Sequence, residues 1–173
     1  MIKRSRWLLM AALLLPMLAL AKSPDILMKD LNGKERNVGE FIGQGKWTVV
    51  MVWAHNCPVC NAEVYQMTFF HDAHRKKDAT VLGISIDGYG NKKKAQNFID
   101  EHQVNFPNLI TEPDPSILAK FGGGPFIGTP TFYIYAPDGT LVATKIGPTT
   151  QEEVEDFMQR HPELAARKPV AQS

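Results

Sequence analysis

Two kinds of apolar pattern alternate along this chain. Trp47-Thr48-Val49-Val50-Met51-Val52-Trp53 is apolar or β-branched at every position, as expected of a strand covered on both faces. Thr80-Val81-Leu82-Gly83-Ile84-Ser85-Ile86 repeats the pattern and is closed by Asp87-Gly88. Thr131 to Tyr135 is a third such run, with Pro137-Asp138-Gly139-Thr140 as a turn and Leu141 to Ile146 as its hairpin partner. Asn32-Gly33 supplies a second hairpin turn within Asp25 to Val38, and a short extended piece surrounds Asn108-Leu109-Ile110.

Between the strands the period becomes helical. From Cys57-Pro58 to about Lys77, Val64, Met67, Phe70 and Ala73 fall on one face. Asn91 can cap a helix running to about Gln103, with Ala95, Phe98 and Ile99 inward. Asp114-Pro115 opens a brief helix ending near Phe121, and Thr150 caps a last one with Glu152 and Glu153 in its first turn. The polar tail from Pro162 onward is expected to fray. Strand, helix, strand, helix, hairpin and helix describe one α/β domain whose first two long strands run parallel.

The N-terminus reads differently. Lys3, Arg4 and Arg6 precede an apolar run from Trp7 to Ala21 that ends in Ala19-Leu20-Ala21. A basic head, a short apolar stretch and an A-x-A site predict a secretory signal peptide over residues 1–21, cleaved after Ala21. The alternative is a retained anchor, but the run has only 15 residues, fewer than the ~20 that span a bilayer. Residues 22–173 form the predicted domain, with sixteen basic against eighteen acidic residues. That balance offers no field for nucleic acid, and no repeat period is present.

Two cysteines remain after export, Cys57 and Cys60, in Cys57-Pro58-Val59-Cys60. So small a loop stabilises a chain little, so redox chemistry explains the pair better than architecture. Cys57 at a helix N-terminus meets unpaired N–H groups and the positive end of the dipole, which favour its thiolate and make it the nucleophile. Cys60, one turn further in, would resolve a mixed disulfide. Glu63 shares a helix face with Cys60 and could take its proton, against the plainer reading of a solvated surface carboxylate. His55 could stabilise a thiolate, although a solvated loop histidine is the simpler reading. His71 and His74 hint at copper or zinc without a compact cluster to support it. Trp53 and Phe126 could line a substrate groove or simply pack. Thr129-Pro130 opens an apolar strand, where proline can be a mere boundary.

Taken in order, Trp47 to Ala54, Cys57-Pro58-Val59-Cys60, Glu63, Gly83 to Asp87, Val104 to Pro107, Gly128-Thr129-Pro130-Thr131 and Pro137-Asp138-Gly139 resemble the thioredoxin-like superfamily, in particular the TlpA/ResA-type periplasmic disulfide reductases. The resemblance implies a thioredoxin-like fold, a central mixed β-sheet flanked by helices, with no cofactor or bound metal. It implies a cis Pro130 facing Cys57, Thr129 and Pro130 as a substrate ledge, and Glu63 as the acid near the buried cysteine. It also implies disulfide-bearing protein substrates outside the cytoplasm, such as apocytochrome c, and a membrane thiol–disulfide electron donor. Asn56 stands where the family commonly has Trp, Tyr65 where Pro is frequent, and the loop Gly122 to Gly128 looks long. A disulfide oxidase or isomerase, or a periplasmic copper-binding or redox-sensing module, remain the alternatives.

Overall fold

The structure, a computed structural model, describes residues 23–167 and 169; the predicted signal peptide lies outside the described residues. Seven strands form one sheet: β1 (Leu27–Asp30), β2 (Glu35–Asn37), β3 (Trp47–Trp53), β4 (Ala79–Ser85), β5 (Asn108–Ile110), β6 (Thr131–Tyr135) and β7 (Leu141–Ile146), in the order β2-β1-β5-β4-β3-β6-β7. β3 and β4 pair in parallel, as do β4 and β5, while β6 runs antiparallel to β3. The sheet is therefore mixed. The N-terminal hairpin, predicted without a place, extends it through an antiparallel pairing of β1 with β5. The helices are α1 (Pro58–His74), α2 (Lys92–Glu101), α3 (Pro115–Leu118), α4 (Gln151–Arg160) and α5 (Pro162–Ala165). This is the thioredoxin-like architecture that the motifs implied.

β3 is the axis of the core. Its residues are buried at every position, and the two-residue period of a strand divides them between two layers. Trp47, Val49, Met51 and Trp53 join α1, α2 and α4 in one apolar cluster, while Val50 and Val52 join Leu82, Ile84, Leu118 and Tyr133 in the other. Thr48 is the polar exception, and its hydroxyl is spent on the carbonyl of Phe41 at 3.1 Å.

Three expectations need correction, and for Trp53 and Phe126 the packing alternative holds. On α1 the buried face includes His71, whereas Ala73 is only half-buried. The His71 ring accepts the Val81 N–H at Nδ1 (3.1 Å), so burial there costs no orphaned polar atom. Asn91 precedes α2 but does not cap it; a turn of 3-10 helix, Tyr89–Asn91, leads in, and the amide of Asn91 donates backward to the Asp87 carbonyl (2.9 Å). The tail forms α5 and buries Leu164 against the core instead of fraying there. Trp53 is core: it stacks on Phe98 and donates its Nε1–H to Asn108 (3.0 Å), and Phe126 packs against the second cluster.

Candidate active site

The chain leaves β3 at Trp53 and turns at once. Cys57 N–H donates to the Ala54 carbonyl (3.1 Å), closing a turn that sets Cys57 as the N-cap of α1. Cys57 has extended backbone (φ −82°, ψ 112°), and its sulfur accepts the Cys60 N–H at 3.1 Å. Pro58 takes the first helical position, where no N–H is required. A sulfur placed there replaces the oxygen of an ordinary N-cap and lies at the positive end of a 17-residue helix. Cys57 and Cys60 are joined as a disulfide, with Cα atoms 5.2 Å apart. The two ends of that bond differ in access: Cys57 is 8% exposed and Cys60 0%.

The second strand of the site arrives from β6. Register places Thr131 opposite Val52, so Pro130 comes to the same end of the sheet as the cysteine turn. The Thr129–Pro130 bond is cis, as the resemblance implied. Pro130 is buried and offers its carbonyl to the Gly147 N–H (2.9 Å), while Thr129 is half-buried. Glu63 lies on α1 one turn beyond Cys60, half-buried and making no hydrogen bond or ion pair with a described residue. Register and the start of α1 thus bring Cys57, Thr129 and Pro130 to one end of the sheet, with Cys60 and then Glu63 following along α1.

Sequence reasoning undervalued two neighbours and missed a third. His55 is no solvated loop histidine: its Nδ1 lies 2.6 Å from Asp87, and its backbone N–H is shared by both carboxylate oxygens of Asp87 at 3.1 Å. Asp87, with its side chain 3% exposed, also accepts the Ser85 hydroxyl at 2.7 Å. Asn61 is the third. Its amide donates to the carbonyls of His55 (2.9 Å) and Cys57 (2.8 Å), and its oxygen faces His102 Nε2 at 3.0 Å. A signal for Asp87 was available, because a carboxylate at the C-terminal end of a buried parallel strand sits where such sheets build their sites. Asn61 gave none, since its near partners are backbone carbonyls, which any residue supplies, and its side-chain partner His102 lies 41 residues away.

The metal hint dissolves at the side chains. His71 is engaged with Val81, and both ring nitrogens of His74 are taken, by Asp78 at 2.8 Å and Glu155 at 3.0 Å. Among the described residues no group of three or more His, Cys, Asp or Glu side chains is placed to hold a metal ion.

Residues 20–144 match the AhpC/TSA family model. The chain is 24% identical over 134 residues to sporulation thiol-disulfide oxidoreductase A of Bacillus subtilis, covering 77% of each. It is 24% identical over 139 residues to thiol-disulfide oxidoreductase ResA of Bacillus thuringiensis, covering 80% of this chain and 76% of that one. A solved structure of a secreted Mycobacterium tuberculosis disulfide oxidoreductase, homologous to Escherichia coli DsbE, superposes with a TM-score of 0.62 at 25% identity, over 79% of this chain and 96% of the other. The chain accordingly belongs to the AhpC/TSA family and is a thioredoxin-like thiol–disulfide oxidoreductase.

Proposed function

We propose that this enzyme reduces disulfides of proteins outside the cytoplasm, with Cys57 attacking and Cys60 resolving. The observation that carries the reading is the asymmetry of the pair: Cys57 lies at the helix N-terminus and reaches the surface, while Cys60 is sealed. In the reduced protein the Cys57 thiolate attacks one sulfur of a substrate disulfide. That S–S bond breaks, a mixed disulfide forms, and the first substrate sulfur leaves as a thiolate and takes a proton. Cys60 then gives up its proton, with Glu63 as the nearby acceptor, and attacks the Cys57 sulfur. The second substrate sulfur leaves, and the Cys57–Cys60 disulfide remains. Two electrons from a membrane thiol donor return the enzyme to its dithiol form.

Three features support a protein substrate at this end. Val59 inside the motif, Ile127 before Pro130, and Ile146 across from Thr131 are exposed apolar residues, with Ile127 68% exposed. Thr129 and Pro130 are the proposed ledge on which an extended substrate segment lies beside Cys57. The basic and apolar N-terminal segment, together with the secreted mycobacterial relative, supports export to the periplasm. The TlpA/ResA resemblance extends the reading to apocytochrome c as one substrate.

Trapping tests the roles. A Cys60→Ser variant should accumulate mixed disulfides with substrate proteins, because Cys57 attacks and nothing resolves it. Cys57→Ser should accumulate none. Trapping by Cys57→Ser instead would reverse the assignment.

A further inference from the structure

The redox turn is held by Asp87 beyond β4 and by Asn61 in the first turn of α1 itself, which His102 at the end of α2 meets in turn, and nothing in the exchange chemistry above uses them. On one side Asp87, at the end of β4, holds the backbone N–H and the ring of His55. On the other, Asn61 spends both amide hydrogens on the carbonyls of His55 and Cys57. With both hydrogens committed, its oxygen must be the atom that meets His102, so His102 Nε2 carries the proton and donates. His102 follows the last turn of α2 and packs on Phe98 at 4.6 Å, which itself stacks on Trp53 at 4.2 Å. A line of contacts therefore runs from the end of β3 through Phe98 and His102 to Asn61, and returns to the turn that β3 enters.

We propose that Asn61, oriented by His102, is a positioning residue for the exchange: its amide ties the His55 carbonyl, before the turn, to the Cys57 carbonyl, which also accepts the Asn61 backbone N–H at 3.0 Å, so that the sulfur keeps the Cys60 N–H when the disulfide opens. The inference deepens, and rests on, the reading of Cys57 as the nucleophile. The physical reason is charge. Opening the disulfide leaves a thiolate on Cys57, and a carbonyl oxygen free to swing toward it would raise its energy. The helix already occupies the Cys57 carbonyl through the Asn61 backbone N–H, and the side-chain amide, fixed behind the turn, keeps the His55 carbonyl dipole occupied as well. The same fixing holds the N-cap geometry, in which the sulfur accepts the Cys60 N–H at 3.1 Å. Groups fixed before charge develops need no reorganisation as it appears.

His102 separates this role from mere packing, because it touches the nucleophile only through Asn61. His102→Gln retains a donor at the position of Nε2; His102→Leu removes it at similar bulk. In the reduced protein at neutral pH, Asn61→Ala and His102→Leu are expected to slow alkylation of Cys57 about tenfold. The same variants should shift the equilibrium with glutathione about tenfold toward the disulfide, which is about 30 mV for a two-electron couple. His102→Gln should stay within about twofold of the parent, the scale of losing no hydrogen bond. Folded variants in which Asn61→Ala and His102→Leu keep the parent rate and potential would overturn the proposal, and so would a His102→Gln as impaired as His102→Leu. Should Asn61→Ala fail to fold, the pair at position 102 carries the test. A parent protein whose Cys57 is itself inert would instead sink the nucleophile assignment, which keeps the two failures distinct.

Discussion

The two ends of β3 are built on different principles. At its start Trp47 is buried against the edge of Phe157, with ring centroids 6.1 Å apart, and its N–H meets the Asp78 carbonyl at 2.9 Å. Nothing there but shape and burial is at stake. At its end the strand runs into a turn where Asp87, His55, Asn61 and His102 are tied by hydrogen bonds from 2.6 to 3.1 Å. A polar network at the edge of an apolar sheet is costly unless every member is satisfied, and satisfied networks specify one geometry. The difference teaches where this molecule spends precision: packing holds the scaffold, and directional bonds hold the sulfur.

The largest effect should come from breaking the apolar end. Trp47→Ala removes a large buried side chain and is expected to cost about 3–5 kcal/mol, read as a drop in the urea midpoint. The folded fraction should still alkylate Cys57 at the parent rate. Asp87→Ala should be milder in stability, about 1–3 kcal/mol for the unpaired donors it leaves, but should alter Cys57 reactivity in the folded protein. If Trp47→Ala changed the sulfur chemistry and Asp87→Ala did not, the contrast between the two ends would be mistaken.

A smaller effect sharpens the contrast from α1. Burial, and then the nearby Arg75 charge, hold the His71 ring below its usual range. The fold therefore prefers the neutral ring, so its contribution is full above the unfolded value of about 6.5 and is lost as pH falls through the lowered folded value. Urea midpoints should decline between neutral and acidic pH. His71→Asn, which can still accept the Val81 N–H, should reduce that decline. An unchanged slope would remove His71 from the account of acid sensitivity.

What was legible beforehand follows the range of each interaction. β3, β4 and β6 announce themselves because a strand covered on both faces must be apolar throughout, and the cysteine pair needs only its spacing and a helix start. Thr150 was readable as a cap because its partner Glu153 is three residues away, and the structure shows both bonds of that capping box. Asn91 misled because its side chain had a competing acceptor in the Asp87 carbonyl. The tail hid α5 because one residue, Leu164, supplies its anchor, and a single apolar position carries no period. His55 was misjudged for a related reason: its partner Asp87 is 32 residues away, brought close only by the parallel pairing of β3 with β4. The cis bond at Pro130 came from family likeness, since local residues do not dictate it.

The most direct measurement is to reduce the protein, treat it at neutral pH with about one equivalent of iodoacetamide, and locate the label by peptide mass spectrometry. Labelling should fall on Cys57, with Cys60 modified far more slowly. Label on Cys60 first, or on neither sulfur while free thiol is present, would contradict a reactive thiolate held at the start of α1.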